Sequence, residues 1–398
     1  MSQGIAHRAA VADQTPASRA VRLLCVHPNY ELYGSDRVFA NCLGVFVTKF
    51  RNLNVEVLIP RKGDILTLYP LNSMRTHARR MWILRRRGLL KDVTVNLFRN
   101  IRALARALSA MRGSDVTYIN TIISFDFILM SRFVRRKVIV HVHEIPNGFE
   151  LTCFRALLRW SKPSLVIFNS KATRDAFALP RTFRQEVVYC GCDVNQGPGP
   201  LAEAWRGERK LCILVIGRIN TWKGQEILVD AIGKLQPSDA GKVDVRIVGG
   251  VFDGQNEFVE RLERQISQLR LGETIKIHPF ETDPTTSYRS ADVVVVPSRL
   301  PEPFGLVAIE AMAFGKPVIA SRHGGLAEIV EDGKSGLLFE PGCPAALAAA
   351  IKTLLDKPQL AAAYGQAGYE RWKEHFTLGA CEQSFYRAVK PLLLDSSA

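Results

Sequence analysis

Short apolar runs suited to buried strands alternate with helical patterns along almost the whole chain, and this alternation restricts the fold more than any other feature. The strand candidates of the first half are Arg22–Val26, Val55–Ile59, Val116–Ile119, Val138–Val142, Leu165–Phe168 and Val187–Tyr189. Those of the second half are Leu211–Ile216, Val243–Val248, Ile275–Ile277, Val293–Val296 and Val318–Ala320. Helical patterns fall at about Arg37–Phe50, Arg99–Ala110, Gln225–Leu235, Glu257–Leu269, Ala345–Leu355 and Gln359–Lys373. Continuous apolar strands separated by amphipathic helices call for parallel sheets covered on both faces. The series is interrupted by a Gly/Pro-rich stretch, Asn195–Gly207. The expectation is an α/β chain of two doubly wound, Rossmann-like domains facing a central cleft, at 21–195 and 210–377, with a linker at 196–209 and a disordered leader at 1–20. Ligands in such sheets sit beyond the carboxyl ends of the strands, and pockets favour domain interfaces.

Charge separates the two halves. Residues 1–200 carry 30 Lys and Arg against 13 Asp and Glu, and residues 201–398 carry 23 against 25, so the net +15 resides in the first half. A basic domain suggests nucleic acid or an anionic membrane surface as partner. Nucleic acid is disfavoured, because stacking aromatics are not interleaved through the basic runs. One segment suits a membrane: Met74, Ala78, Met81 and Trp82 would line one stripe of a helix, with Arg75, Arg79, Arg80, Arg86 and Arg87 around it. A solvated basic face over a core stripe is the plainer alternative. No window is long and apolar enough to span a bilayer, and residues 1–20 lack the apolar centre of a signal peptide. The eight cysteines are scattered and form no metal-ligand quartet, which favours a reducing cytosol over a disulfide scaffold.

The chemistry-bearing residues concentrate in two segments of the second half. Glu302 lies in a Pro-flanked turn and Glu310 follows on a helix beginning near Phe304, so two carboxylates share a small volume with the helix-start amides of Phe304, Gly305 and Leu306. Carboxylates accept paired hydrogen bonds from neighbouring sugar hydroxyls, and helix-start amides hold anions. Glu310 sits among the packing residues Ala308, Ile309, Ala311 and Met312, where an unpartnered charge would be costly. The second segment runs from the strand end Gly217-Arg218 to Lys223-Gly224 at a helix start, and two cations so placed suit a diphosphate. A surface turn with solvated cations is the alternative. In the first half, His143 closes a strand at its carboxyl end, next to Glu144, while His141 reads as structural. Asn169-Ser170 reads foremost as a helix cap. Gly34 permits close approach at a helix N-terminus, and Asp36 reads as its cap.

Together these segments resemble the GT-B glycosyltransferases of the large retaining family 4, over nearly the whole chain from Arg22 and most strongly over Leu211–Pro341. Gly191-Cys192-Asp193 is similar to that family's Gly-x-Asp segment before the linker. The resemblance implies a last helix, at about 378–398, that crosses back onto the first domain. It implies that Arg218 and Lys223 neutralise the leaving diphosphate of a nucleotide-sugar donor, that Glu302 binds the transferred sugar and Glu310 the ribose, and that His143 meets the donor sugar. Gly34, Gly217, Phe304, Gly305 and Leu306 would border the donor. No cofactor and no bound metal are implied, and no Asp-x-Asp motif occurs. The expected function is retaining transfer of a hexosyl group to a lipid-linked saccharide in surface polysaccharide assembly, by an enzyme peripheral to the inner face of the cell membrane. A soluble acceptor, a non-catalytic nucleotide-sugar-binding module and a nucleotide-sugar epimerase are the alternatives. Two positions depart from the family: Gly34-Ser35 stands where relatives often carry two glycines, and Pro279, near the base pocket, has no amide hydrogen to offer a base.

Overall fold

The structure is a computed structural model that describes residues 19–29, 34–67, 74–83, 97–194, 205–251 and 256–394. Its first domain is built from β1 (Val21–Val26), α1 (Gly34–Lys49), β2 (Leu53–Ile59), β3 (Arg75–Ala78), α2 (Leu97–Gly113), β4 (Val116–Asn120), α3 (Phe125–Met130), β5 (Lys137–Val142), α4 (Gly148–Ser161), β6 (Leu165–Phe168), α5 (Lys171–Phe177) and β7 (Gln185–Val187). The second comprises β8 (Leu211–Ile216), α6 (Gln225–Gly233), α7 (Pro237–Ala240), β9 (Val243–Val248), α8 (Glu257–Gln268), β10 (Ile275–His278), α9 (Thr285–Ser290), β11 (Val293–Val296), α10 (Leu306–Ala313), β12 (Val318–Ser321), α11 (Leu326–Ile329) and β13 (Gly336–Phe339). Three helices close the chain: α12 (Pro344–Asp356), α13 (Pro358–His375) and α14 (Leu378–Leu394).

The strands pair in parallel throughout, in the orders β3-β2-β1-β4-β5-β6-β7 and β10-β9-β8-β11-β12-β13, and the central ones are rich in Val, Ile and Leu and buried on both faces. Each sheet reverses its winding beside its first strand, between β1 and β4 and between β8 and β11, and a crevice opens at such a switch point. α14 crosses back onto α1: the buried rings of Phe46 and Phe385 meet edge-on at 5.3 Å, and the partly buried rings of Phe50 and Tyr386 meet at a tilt, 5.2 Å apart. Burying an aromatic of this size contributes roughly 1.5–3 kcal/mol. Gly191 seats the start of that crossing, since a Cβ there would lie 2.4 Å from the carbonyl of Thr377.

Several expectations change. Where a helix was expected from Met74, the described residues 74–83 hold an edge strand and a single bridge: β3 pairs with β2 from Glu56↔Arg75 to Ile59↔Ala78, and Ile83 bridges Ser124. The open backbone edge of β2 supplies hydrogen bonds that a four-residue apolar stripe cannot outweigh. Arg75, Arg79 and Arg80 are exposed, whereas Trp82 turns inward, its backbone N–H donating to Asp126 (3.0 Å) and its ring against Phe125 (4.8 Å). Arg86 and Arg87 lie outside the described residues, as do 1–18 of the expected leader and 196–204 of the expected linker. Trp205, expected in the linker, packs into the second domain's core and donates to the carbonyl of Arg209. β7 begins two residues ahead of the apolar triplet read as its strand, and β3, β13, α3, α4 and the short helices α7, α9 and α11 were not anticipated.

Candidate active site

The turns that leave β8 and β11 build one wall of the cleft. The Asn220 side chain accepts the backbone N–H groups of Trp222 (3.1 Å) and Lys223 (2.9 Å), which fixes the turn and aims Lys223. Lys223 Nζ lies 2.6 Å from Glu302 Oε1, and Ser298 Oγ donates to the same oxygen at 2.5 Å. Gly324 holds the Glu302 turn from behind. Its φ is +57°, and a Cβ there would lie 2.2 Å from the Glu302 carbonyl, so only glycine fits. Burial alone would raise the Glu302 carboxyl; Lys223 and Ser298 outweigh it and hold the group below its ordinary range. With one Nζ hydrogen on Glu302, Lys223 keeps two more donors for a ligand.

Glu310 is on α10 and accepts a hydrogen bond from Tyr288 (2.7 Å). Arg37, from α1 of the other domain, stands 3.7 Å away. Burial dominates here and pushes the Glu310 carboxyl up, with Tyr288 and Arg37 only partly compensating. α10 begins at Leu306, so its first amides have no partner within the helix.

The cavity between the domains measures about 1350 Å³ and brings Arg218, Lys223, Glu302, Glu310 and His143 into one space. Gly34, Gly217, Phe304, Gly305 and Leu306 border it as well. Gly34 allows the domains to approach, because a Cβ there would stand 2.8 Å from Leu306 Cδ1. The Phe304 ring turns away from the cavity and is buried against Tyr189 (5.8 Å) and Phe376 (6.0 Å). The opposite wall is apolar: Trp82, Ile122, Phe125, Ile145, Phe149 and Phe154 line it, and Phe149 is 82% exposed. Its acids are Glu144 and Glu150, and among the described residues lining the cavity the cations are Arg37, Arg218 and Lys223. Glu144 accepts the N–H groups of Ile122 (3.3 Å) and His143 (3.1 Å), and burial pushes its carboxyl up to about 7.

Beside the cleft the domains are latched. Ser170 caps α5 through the Thr173 N–H and also donates to the Pro303 carbonyl at 2.5 Å. Glu328 accepts the first amides of α5, from Lys171 (3.0 Å) and Ala172 (2.6 Å), and the Tyr189 hydroxyl (2.9 Å). Asp36 does not cap α1. It is buried in the first turn and pairs with His27 at 2.7 Å. Sequence reasoning did not reach Arg37, Tyr288, Ser298 or Glu328, because each acquires its role from a contact that only the folded chain creates. Asn120 was within reach, since it ends β4 as His143 follows β5.

Comparison with known proteins meets this geometry. The family described as "Glycosyl transferases group 1" matches residues 203–371, the span that carries Arg218, Lys223, Glu302 and Glu310. Those residues form a glycosyl transferases group 1 domain. The chain is 36% identical over 188 residues to D-inositol 3-phosphate glycosyltransferase 2 of Catenulispora acidiphila, covering 45% of this chain and 44% of that one. It is 35% identical over 202 residues to D-inositol 3-phosphate glycosyltransferase of Geodermatophilus obscurus, covering 48% and 45%. The chain thus spans about half the length of these curated relatives. Over the whole fold it resembles HepE of Anabaena, solved in complex with UDP and glucose, at TM-score 0.76 and 26% identity over 93% of this chain and 99% of that one. Sucrose-phosphate synthase of Thermosynechococcus elongatus shares the fold at TM-score 0.75, 23% identity and 94% and 100% coverage. The group 1 domain is thus the second half of a GT-B fold.

Proposed function

We propose that this chain transfers a hexosyl group, with retention, from a nucleotide-diphosphate sugar to a lipid-linked saccharide at the inner face of the cell membrane. The observation that carries the reading is the Lys223–Glu302 pair beside Arg218 and Glu310 in one interdomain cavity. Glu302 and Glu310 position the sugar and the ribose. Arg218 and Lys223 meet the charge that develops on the leaving diphosphate, with no metal required, and His143 meets the sugar from the first domain. Gly34, Gly217, Gly305 and Leu306 border the donor. A UDP-hexose is the first donor to test, since HepE was solved with UDP-glucose.

The apolar wall supports the acceptor class. A phosphorylated polyol needs cations, and among the described residues lining the cavity the cations are Arg37, beside Glu310, and Arg218 and Lys223 of the second domain. Trp82, Ile122, Phe125 and Phe149 suit an apolar moiety next to the accepting hydroxyl. Membrane contact draws support from the outer face of the same domain. There Phe98, Ile101, Phe133 and Trp160 are exposed among Arg99, Arg102, Arg132 and Arg135, in place of the helix expected at 74–87. Each such cation contributes roughly 1 kcal/mol near an anionic surface.

A soluble acceptor is the second reading, favoured by the names of the curated relatives. Nucleoside diphosphate release from a panel of UDP-, GDP- and ADP-hexoses, with a polyprenyl-diphosphate saccharide or inositol 3-phosphate as acceptor, separates the two. Stimulation by inositol 3-phosphate alone would overturn the lipid-linked reading.

A further inference from the structure

Behind His143 a buried chain of side chains runs to the far side of β1. Asp36 Oδ1 lies 2.7 Å from His27 Nε2. His27 Nδ1 lies 2.9 Å from Asn120 Nδ2, and Asn120 Oδ1 lies 2.8 Å from His143 Nε2. Asp36, His27 and Asn120 are fully buried, and His143 is 9% exposed where it meets the cleft. The sheet order β1-β4-β5 is what sets His27, Asn120 and His143 side by side at successive strand ends. Phe39 stacks on the His27 ring at 4.5 Å and fixes its plane.

Donors and acceptors along this chain have one consistent assignment. The Asp36 carboxylate can only accept, so His27 Nε2 must carry a proton. Burial keeps His27 neutral against the pull of Asp36, so its Nδ1 is a bare acceptor. Asn120 must then turn its NH₂ to His27 and its oxygen to His143, and His143 Nε2 must donate. Tyr118 fills the second lone pair of the Asn120 oxygen (3.0 Å) and receives the Nδ1–H of His141 (2.8 Å), which agrees with the same polarity. Reversing the chain would point a bare nitrogen at the Asp36 carboxylate.

We propose that Asp36, His27 and Asn120 are positioning residues that lock His143 as a hydrogen-bond acceptor toward the cleft, so that the site selects a sugar presenting a hydroxyl there. The claim about the sugar rests on the hexosyl-transfer reading; the claim about polarity does not. With Nε2 committed to Asn120, Nδ1 is the remaining polar atom of the His143 ring, and it accepts.

Asp36→Asn is nearly isosteric and replaces an acceptor-only group with an amide that can accept or donate, so the chain can take either polarity, the reversed one with Tyr118 and His141 reversing as well. In the reversed form the introduced side-chain amide donates to His27 Nε2, Asn120 flips, and His143 carries its proton on Nδ1. Ring ¹⁵N NMR of the full chain, with the His143 signals assigned by their loss in His143→Gln, reads this directly. The wild type should show a protonated Nε2 and a bare Nδ1 at His143, and Asp36→Asn should gain a population protonated on Nδ1. Transfer from a UDP-hexose should fall as that population grows, toward the roughly ten-fold cost of one misdirected hydrogen bond. A panel of singly deoxyfluorinated UDP-hexoses adds a readout that a packing defect would not move, because fluorine accepts but cannot donate. The fluorinated position that meets His143 should cost the wild type about ten-fold in kcat/KM, and Asp36→Asn should lose that preference in step with its Nδ1-protonated population. A wild-type His143 protonated on Nδ1 overturns the proposal even if the variant fails to fold. So does an unchanged tautomer population in a folded variant, or a shifted one with unchanged kinetics. Failure of every donor to turn over would instead sink the transfer reading, with the polarity still decided by the spectrum.

Discussion

Lys223→Met removes the ammonium and keeps most of the side-chain stem, and its consequences can be worked out from the Glu302 site. The Glu302 carboxylate is 8% exposed and loses its cation, while Lys223 itself is 24% exposed, so water reaches part of the gap. Breaking a buried pair costs about 3–5 kcal/mol, and the partial exposure brings this to about 2–3 kcal/mol. For a domain of this size that corresponds to a fall in Tm of roughly 5–10 °C. The cost depends on pH. In the wild type the Glu302 carboxyl is held below its ordinary value of 4.5, so the pair's stabilisation is present above that pH and is lost as pH falls through the lower folded value. Without Lys223 burial dominates, the folded pKa rises above 4.5, and the variant loses stability as pH climbs. The two unfolding curves should therefore converge near about pH 4 and diverge toward about pH 8. Turnover should fall about 10²–10³-fold, the usual effect of removing one preorganised group facing developing charge. Adding Glu302→Gln should restore most of the stability and none of the turnover. Thermal unfolding across pH together with nucleoside diphosphate release checks both halves. A stable Lys223→Met enzyme within a few-fold of wild-type turnover would refute the reasoning.

Three further outcomes follow from the same contacts. Tyr288→Phe deletes the hydroxyl that orients Glu310 and should raise the donor KM about five-fold with little change in kcat, read by steady-state kinetics. Glu328→Ala releases the first amides of α5 and the Tyr189 hydroxyl, so hydrogen exchange at Lys171 and Ala172 should accelerate while the second-domain strands keep their protection. The Glu144 carboxyl, raised from 4.5 to about 7 by burial, binds its proton more tightly in the folded state, so its share of stability is full below pH 4.5 and is lost as pH rises through about 7. Glu144→Gln should flatten that part of the unfolding-versus-pH curve.

What sequence could supply here was local. Glu302, Glu310, Arg218 and Lys223 stood out because turn residues, helix starts and apolar neighbours place them without knowledge of the rest of the chain. Ser170 stood out as a cap for the same reason. β3 did not, because Arg75–Ala78 becomes a strand through the unpaired edge of β2 and not through its own propensity. Arg37 beside Glu310, Ser170 on Pro303 and Glu328 on α5 exist only once two domains have docked. The Asp36–His27–Asn120–His143 chain depends on β4 lying between β1 and β5, and apolar patterning does not encode strand order. Phe304 illustrates a finer limit: its backbone borders the cavity as expected, while its ring serves the core beneath.

The central claim, that the interdomain cavity transfers a hexosyl group with retention, is tested most directly by following the anomeric proton by NMR. UDP-glucose, in which the sugar is α-linked, is incubated with the full chain and a polyprenyl-diphosphate saccharide. The account predicts acceptor-dependent release of UDP and a new α-linked hexosyl signal, both lost in Lys223→Met. A β-linked product, or UDP release that does not depend on an acceptor, would contradict it.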